Sequence, residues 1–173
     1  MKFLRSLRTV TLALTLVAGV AAAQEAAPDT SSLLVAAGEG EPLSLAETMP
    51  EGPVILHFWA TWCAPCRTEL PAVERFSQEL ARMGGEERLL VISVDRADHD
   101  RVAAFLREGL GITHLTAWQV RGGNPGSAFR ILGYPATIVL AGDGHVAKRI
   151  AGPADWDGGA FRKEILALLN LGD

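Results

Sequence analysis

Two cysteines, Cys63 and Cys66, stand with Ala64 and Pro65 between them. A staple, a metal clamp and a redox couple all use cysteines at this spacing. A staple that closes so small a ring constrains the unfolded chain little compared with a bridge across a long loop. Closed zinc sites need four ligands, and His57, His99, His114 and His145 are scattered without metal-type spacing. Transient copper(I) is the metal alternative that two thiolates leave open. In a redox couple, one sulfur attacks a partner's disulfide, and the other resolves the mixed disulfide and releases the partner reduced. No resident metal or cofactor is expected.

The elements around the pair decide which sulfur attacks. Pro53 to Trp59 (PVILHFW) is a nearly unbroken apolar run of strand length, the pattern of a central strand buried on both faces. From Cys63 to about Met83 the chain is helical by period, with Leu70, Val73, Phe76, Leu80 and Met83 on one stripe and Gly84-Gly85 to end it. A cysteine at a strand-to-helix junction meets unpaired backbone N–H groups and the positive end of the helix dipole, which stabilise a thiolate. Cys63 is therefore the expected nucleophile and Cys66, in the first turn, the resolving thiol. Pro65 is tolerated there because first-turn positions have no internal N–H bond to lose.

The rest of the chain reads as a frame for that junction. Residues 1–23 place Lys2, Arg5 and Arg8 before an apolar run and Ala21-Ala22-Ala23, the order of a secretory signal peptide. Cleavage is expected after Ala23, with an uncleaved membrane anchor as the alternative. Cleavage lowers 16 Lys and Arg to 13 against 20 Asp and Glu, a net charge of −7, which argues against nucleic acid or anionic lipid as the main partner. Residues 24–32 have the make-up of a flexible tether, and 33–173 form one domain. Leu33–Ala37 and Leu43–Leu45 suggest a short amino-terminal β-element, and Arg88–Val94 a second buried strand. A helix is expected over Asp98–Arg107, capped near Asp98 and stopped at Gly109. A short strand follows near Ala117–Val120, then a short helix over Ser127–Leu132 closed by Gly133. Ala136–Ala141 and His145–Ile150 flank Gly142-Asp143-Gly144 as an antiparallel hairpin, and Asp157 is placed to cap a last helix, Gly159–Leu169. The sum is an α/β fold: a central mixed sheet flanked by helices.

FWATWCAPC at 58–66, Pro71, and Gly-Tyr-Pro-Ala-Thr at 133–137 resemble the thioredoxin superfamily. The amino-terminal extension, SVDR at 93–96, an insertion at about 98–121 and GPADW at 152–156 tighten the likeness to its exported TlpA/ResA-like thiol-disulfide reductases. The resemblance covers roughly residues 35–170 and implies a thioredoxin fold. It matches Cys63 to the attacking cysteine, Cys66 to the buried resolving one and Trp62 to the tryptophan beside the site. Pro71 matches the proline that bends the active-site helix. Pro135 matches a cis-proline facing the disulfide, beside whose backbone an extended substrate pairs, so Trp62, Ala64, Pro65, Tyr134 and Pro135 are the implied substrate-binding residues.

Glu69 matches an acidic residue three positions after the second cysteine. As the i+3 neighbour of Cys66 it is read either as an aid to proton transfer during resolution or as an exposed helix glutamate. His57 departs from the family's aspartate or asparagine. Strand alternation sets it with Ile55 and Trp59, as a buried structural histidine or as a titratable relay for Cys66.

The signal segment implies an exported, periplasmic protein, a monomer is expected, and the resemblance implies a reductant of protein disulfides. A membrane thiol carrier would supply its electrons, and its clients would be apocytochrome c or copper-site assembly proteins of cytochrome oxidase. The rivals are a disulfide-forming oxidant, a thiol peroxidase, a copper-delivery module and a non-enzymatic interaction domain.

Overall fold

The computed structural model describes residues 27–172, so the expected signal segment and the first residues of the expected tether lie outside the described residues. Within that expected tether, Asp29 accepts from the N–H groups of Ser31 and Ser32 and caps a 3-10 turn over Thr30–Ser32. Seven strands form one mixed sheet: β1 (Leu34–Ala37), β2 (Leu43–Ser44), β3 (Val54–Trp59), β4 (Leu89–Ser93), β5 (Trp118–Gly122), β6 (Ala136–Leu140) and β7 (Val146–Ala151). Their order across the sheet is β2-β1-β5-β4-β3-β6-β7. β3 lies parallel to β4 and antiparallel to β6, and β4 lies parallel to β5. All six residues of β3 are buried, as expected of an apolar run with neighbours on both edges and cover on both faces.

The helices are α1 (Leu45–Thr48), α2 (Ala64–Arg82), α3 (His99–Ala104), α4 (Pro125–Phe129) and α5 (Gly159–Leu168). Alternation along β3 divides the core. Ile55 and Trp59 face a cluster with Leu70, Val73 and Phe76 of α2 and Ile165 of α5. Val54, Leu56 and Phe58 face Leu33, Leu45 and Phe129 on the other side. The amino-terminal extension thus covers one sheet face while α2, α3 and α5 cover the other.

Several local expectations are corrected. Met83 is 41% exposed, because it caps α2 rather than continuing its buried stripe. Gly84 then takes φ +74, and the Gly85 N–H bonds back to the Leu80 carbonyl, the left-handed closure that glycine allows. Asp98 is the N-cap of α3 as expected, though without a side-chain bond, and the helix does not stop short of Gly109 but widens into a π turn over Phe105–Gly109. α4 starts at Pro125, where Asn124 Oδ1 accepts from the Gly126 and Ser127 N–H groups, and ends on Arg130 at φ 53 rather than at Gly133. Asp157 does not cap α5 either; Gly158 is the N-cap, and Asp157 instead takes a two-point ion pair from Arg75 of α2.

Candidate active site

The disulfide sits where the strand pattern placed it. β3 ends at Trp59, a short turn follows, and the Cys63 N–H donates to the Ala60 carbonyl at 3.1 Å. Cys63 is the N-cap of α2, and its sulfur accepts from the Cys66 N–H at 3.3 Å. That amide is one of the orphan donors of a helix N-terminus, so it stays available to a Cys63 thiolate once the bond is reduced. Cys63 and Cys66 are joined in a disulfide, with Cys63 4% exposed and Cys66 sealed at 0%. Of the two, only Cys63 keeps any exposure. Ala64 and Pro65 beside it are exposed.

Two loops at the same end of the sheet complete the opening. Register pairs Phe58 of β3 with Ala136 of β6, which brings the cis Tyr134-Pro135 bond beside the chain leading into Cys63. Trp62, 67% exposed, meets Tyr134 edge-on with ring centroids 6.0 Å apart. The turn before Cys63 is pinned by buried Asp95: its carboxylate accepts from the Thr61 N–H at 2.9 Å, the Thr61 hydroxyl at 2.7 Å and the Ser93 hydroxyl at 2.7 Å. Asp95 falls inside the SVDR segment, yet nothing local in the sequence assigns it this anchoring role, since its partner Thr61 lies 34 residues away.

Behind the disulfide, Glu69 is buried, 7% exposed, so the exposed-glutamate alternative is set aside. The chain between β7 and α5 folds over it: the Ala154 N–H donates to Oε2 at 2.9 Å, and Trp156, 1% exposed, closes the side. A cleft of about 370 Å³ between Pro65, Thr68 and Pro153 reaches the carboxyl. Burial pushes Glu69 up from 4.5 to about 7, opposed by the Ala154 amide and the Trp156 indole, which favour the anion. His57, fully buried on β3, points the same way. Its Nε2 lies 3.5 Å from Glu69 Oε1 and its Nδ1 3.0 Å from Thr137 Oγ1, while its ring meets Trp156 edge-on. Burial holds His57 down from 6.5 to about 3, so the imidazole is neutral at ordinary pH.

Cys63, Cys66, Glu69, His57, Trp62, Tyr134 and Pro135 therefore converge at one end of the sheet. Thr137, the Ala154 amide and Trp156 join them without having been singled out by residue chemistry. Thr137 was the findable one, because hairpin register makes it the direct cross-strand neighbour of His57. Among the described residues, no group of three or more His, Cys, Asp or Glu side chains could hold a metal ion.

The chain is similar to several known proteins. YneN, a thioredoxin-like protein of Bacillus subtilis, is 33% identical over 91 residues, 50% of this chain and 49% of its own. HelX, a thiol:disulfide interchange protein of Rhodobacter capsulatus, is 34% identical over 104 residues, 60% of this chain and 54% of its own. The chain thus spans about half the length of the curated relatives it matches. The solved structure of a putative thiol:disulfide interchange protein DsbE from Chlorobium tepidum superposes with a TM-score of 0.60, covering 83% of this chain and 97% of that one at 21% identity. That likeness establishes a thioredoxin-type fold. The redoxin family model matches residues 22–166, which hold the cysteine pair, the cis-proline and the buried carboxyl alike, and the chain belongs to the redoxin family.

Proposed function

We propose that the protein is an exported thiol-disulfide oxidoreductase that works mainly as a reductant of protein disulfides through the Cys63–Cys66 couple. The observation that carries this reading is the asymmetry of the two sulfurs. Cys63 caps α2 at the rim, Cys66 is fully sealed, and a buried carboxyl lies three residues beyond it. The names of the relatives, thiol:disulfide interchange proteins among them, support the same class of reaction.

In the forward direction the Cys63 thiolate attacks one sulfur of a client disulfide. A mixed disulfide forms and the client's other sulfur leaves as a thiolate. The Cys66 thiol gives its proton to Glu69, and the resulting thiolate attacks the Cys63 sulfur. The Cys63–Cys66 disulfide closes and the second client thiolate departs. Two electrons have passed to the client, and two protons complete its thiols, one returned by Glu69 and one taken from water, which received the Cys63 proton when its thiolate formed. The client segment lies along the rim formed by Trp62, Ala64, Pro65, Tyr134 and Pro135. A membrane thiol carrier restores the dithiol, and apocytochrome c or a copper-site assembly protein of cytochrome oxidase is the client.

Export rests on residues 1–23, and among the described residues no helix is long and apolar enough to cross a membrane. The test is single-turnover mixing of the reduced protein with a disulfide-containing client protein under metal-free conditions. Appearance of client thiols at the rate Cys63–Cys66 closes supports the reading. Equal turnover by Cys63→Ser removes it.

A further inference from the structure

Two buried polar atoms with no hydrogen-bond partner, His57 Nε2 and Glu69 Oε1, face each other 3.5 Å apart behind the disulfide. What each one is depends on where the protons sit, and the far ends of both groups constrain that. Glu69 Oε2 accepts from the Ala154 N–H. His57 Nδ1 lies 3.0 Å from the hydroxyl of Thr137, itself 1% exposed. A neutral imidazole has one N–H and one lone pair, and a hydroxyl both donates and accepts.

If Nδ1 carried the proton, the Thr137 hydroxyl would accept it and its own hydrogen would have no acceptor among the described contacts. The Nε2 lone pair would then face a carboxylate oxygen. If Nε2 carries the proton, the Thr137 O–H donates to Nδ1 and Nε2–H donates to Oε1, so both hydrogens of the His57–Thr137 pair have an acceptor.

We propose that Thr137 and His57 form a fixed hydrogen-bond chain, Thr137 O–H to His57 Nδ1 and His57 Nε2–H to Glu69 Oε1. In it a permanently neutral His57 is a positioning residue that holds Glu69 ready to accept the proton of the resolving thiol. The proposal rests on the reading of Glu69 given above and changes the role of His57, which serves as a donor to the carboxylate and not as a titrating relay. The Ala154 N–H, the Trp156 indole and His57 Nε2–H then all favour the carboxylate, which lets a buried anion form near neutral pH. Asp155 and Asp157 share the Glu69 cleft, Asp157 paired with Arg75, and Cys63 and Cys66 belong to the buried cluster that also holds Trp156. The Arg75 guanidinium holds the Asp157 carboxyl below its ordinary range, and in the disulfide form neither sulfur titrates, so that form reads Glu69 without a thiol beside it.

The experiment is nitrogen-15 NMR of the histidines and carbon-13 NMR of the glutamate carboxyls in the disulfide form from pH 5 to 8.5. The wild type should show His57 as the Nε2–H tautomer where Glu69 is ionised, above about pH 7. His57→Phe should raise the Glu69 midpoint by at least one pH unit, a tenfold loss of proton release, and His57→Gln, a neutral N–H donor, should restore part of it. Thr137→Val should move the Nδ1 resonance to that of a lone pair without a donor, and Thr137→Ser should leave it in place.

An Nδ1–H tautomer above about pH 7, or a His57 cation in the wild type, overturns the proposal, as does an unmoved Glu69 midpoint in His57→Phe. The wild-type tautomer stands as a test even if a variant fails to fold. Client reduction in the same samples separates the two claims. Reduction with an Nδ1–H tautomer sinks this chain of bonds alone, whereas the predicted tautomer and midpoint shift without reduction uphold it and sink the reductase reading.

Discussion

Replacing Glu69 by glutamine should make the protein's stability less dependent on pH, by an amount the buried carboxyl sets. Unfolded, the carboxyl titrates near 4.5; folded, burial raises it to about 7. Below pH 4.5 both states hold the proton. Between the two values the unfolded chain releases it while the folded chain keeps it, so unfolding becomes steadily easier as pH rises. The stabilisation is fully present below 4.5 and lost once pH passes 7. At about 1.4 kcal/mol per pH unit, the difference is worth about 3 kcal/mol. Glutamine keeps the shape and stays neutral. His57 titrates with the opposite sign, its contribution being present above 6.5 and lost as pH falls toward 3; it is common to both proteins and drops out of the difference. The assay is urea unfolding of the disulfide forms at half-unit steps from pH 4.5 to 8.5, with equal m-values as the condition for comparison. Glu69→Gln should gain about 3 kcal/mol on the wild type across that range. A constant difference would mean that the carboxyl is ionised in the folded state at all these pH values, and the account of its burial would fail.

Three further outcomes follow from the same geometry. Cys66→Ser should accumulate a covalent complex with a client through Cys63, visible by mass spectrometry without reductant and absent from Cys63→Ser. Phe76→Ala removes a fully buried ring that packs on Trp156 with centroids 5.5 Å apart, and should cost about 3–5 kcal/mol in denaturant unfolding. Arg75→Ala breaks an ion pair whose partners are 56% and 53% exposed, and thermal melting should find the midpoint unchanged within error.

The parts of this molecule that were legible in its sequence are those written in a local pattern. PVILHFW could only be a doubly covered strand, and the glycines after Met83 marked the end of a helix whose start the cysteines occupied. The two strands around Gly142-Asp143-Gly144 paired as their apolar runs suggested, and the position of Pro135 in its motif carried the cis bond. What escaped was set by partners distant in the chain. Glu69 looked like a surface residue or an acid depending on whether something covered it, and the cover comes from Ala154, 85 residues later. Asp157 had the type of a helix cap, but α5 starts one residue later, on Gly158, and the carboxylate pairs with Arg75 of α2 instead. The start of α4 was misread for a nearer reason: Asn124-Pro125 is an N-cap followed by a first-turn proline, and the apolar residues further on drew the helix too late.

Direction of electron flow is the centre of the account, and the reduction potential of Cys63–Cys66 tests it most directly. The protein would be equilibrated with defined thiol-disulfide buffers and its reduced cysteines counted by alkylation and mass. A reductant of protein disulfides should have a potential near or below about −220 mV, in the range of thioredoxin-like donors. A value near about −120 mV would make the couple an oxidant and contradict the proposed function.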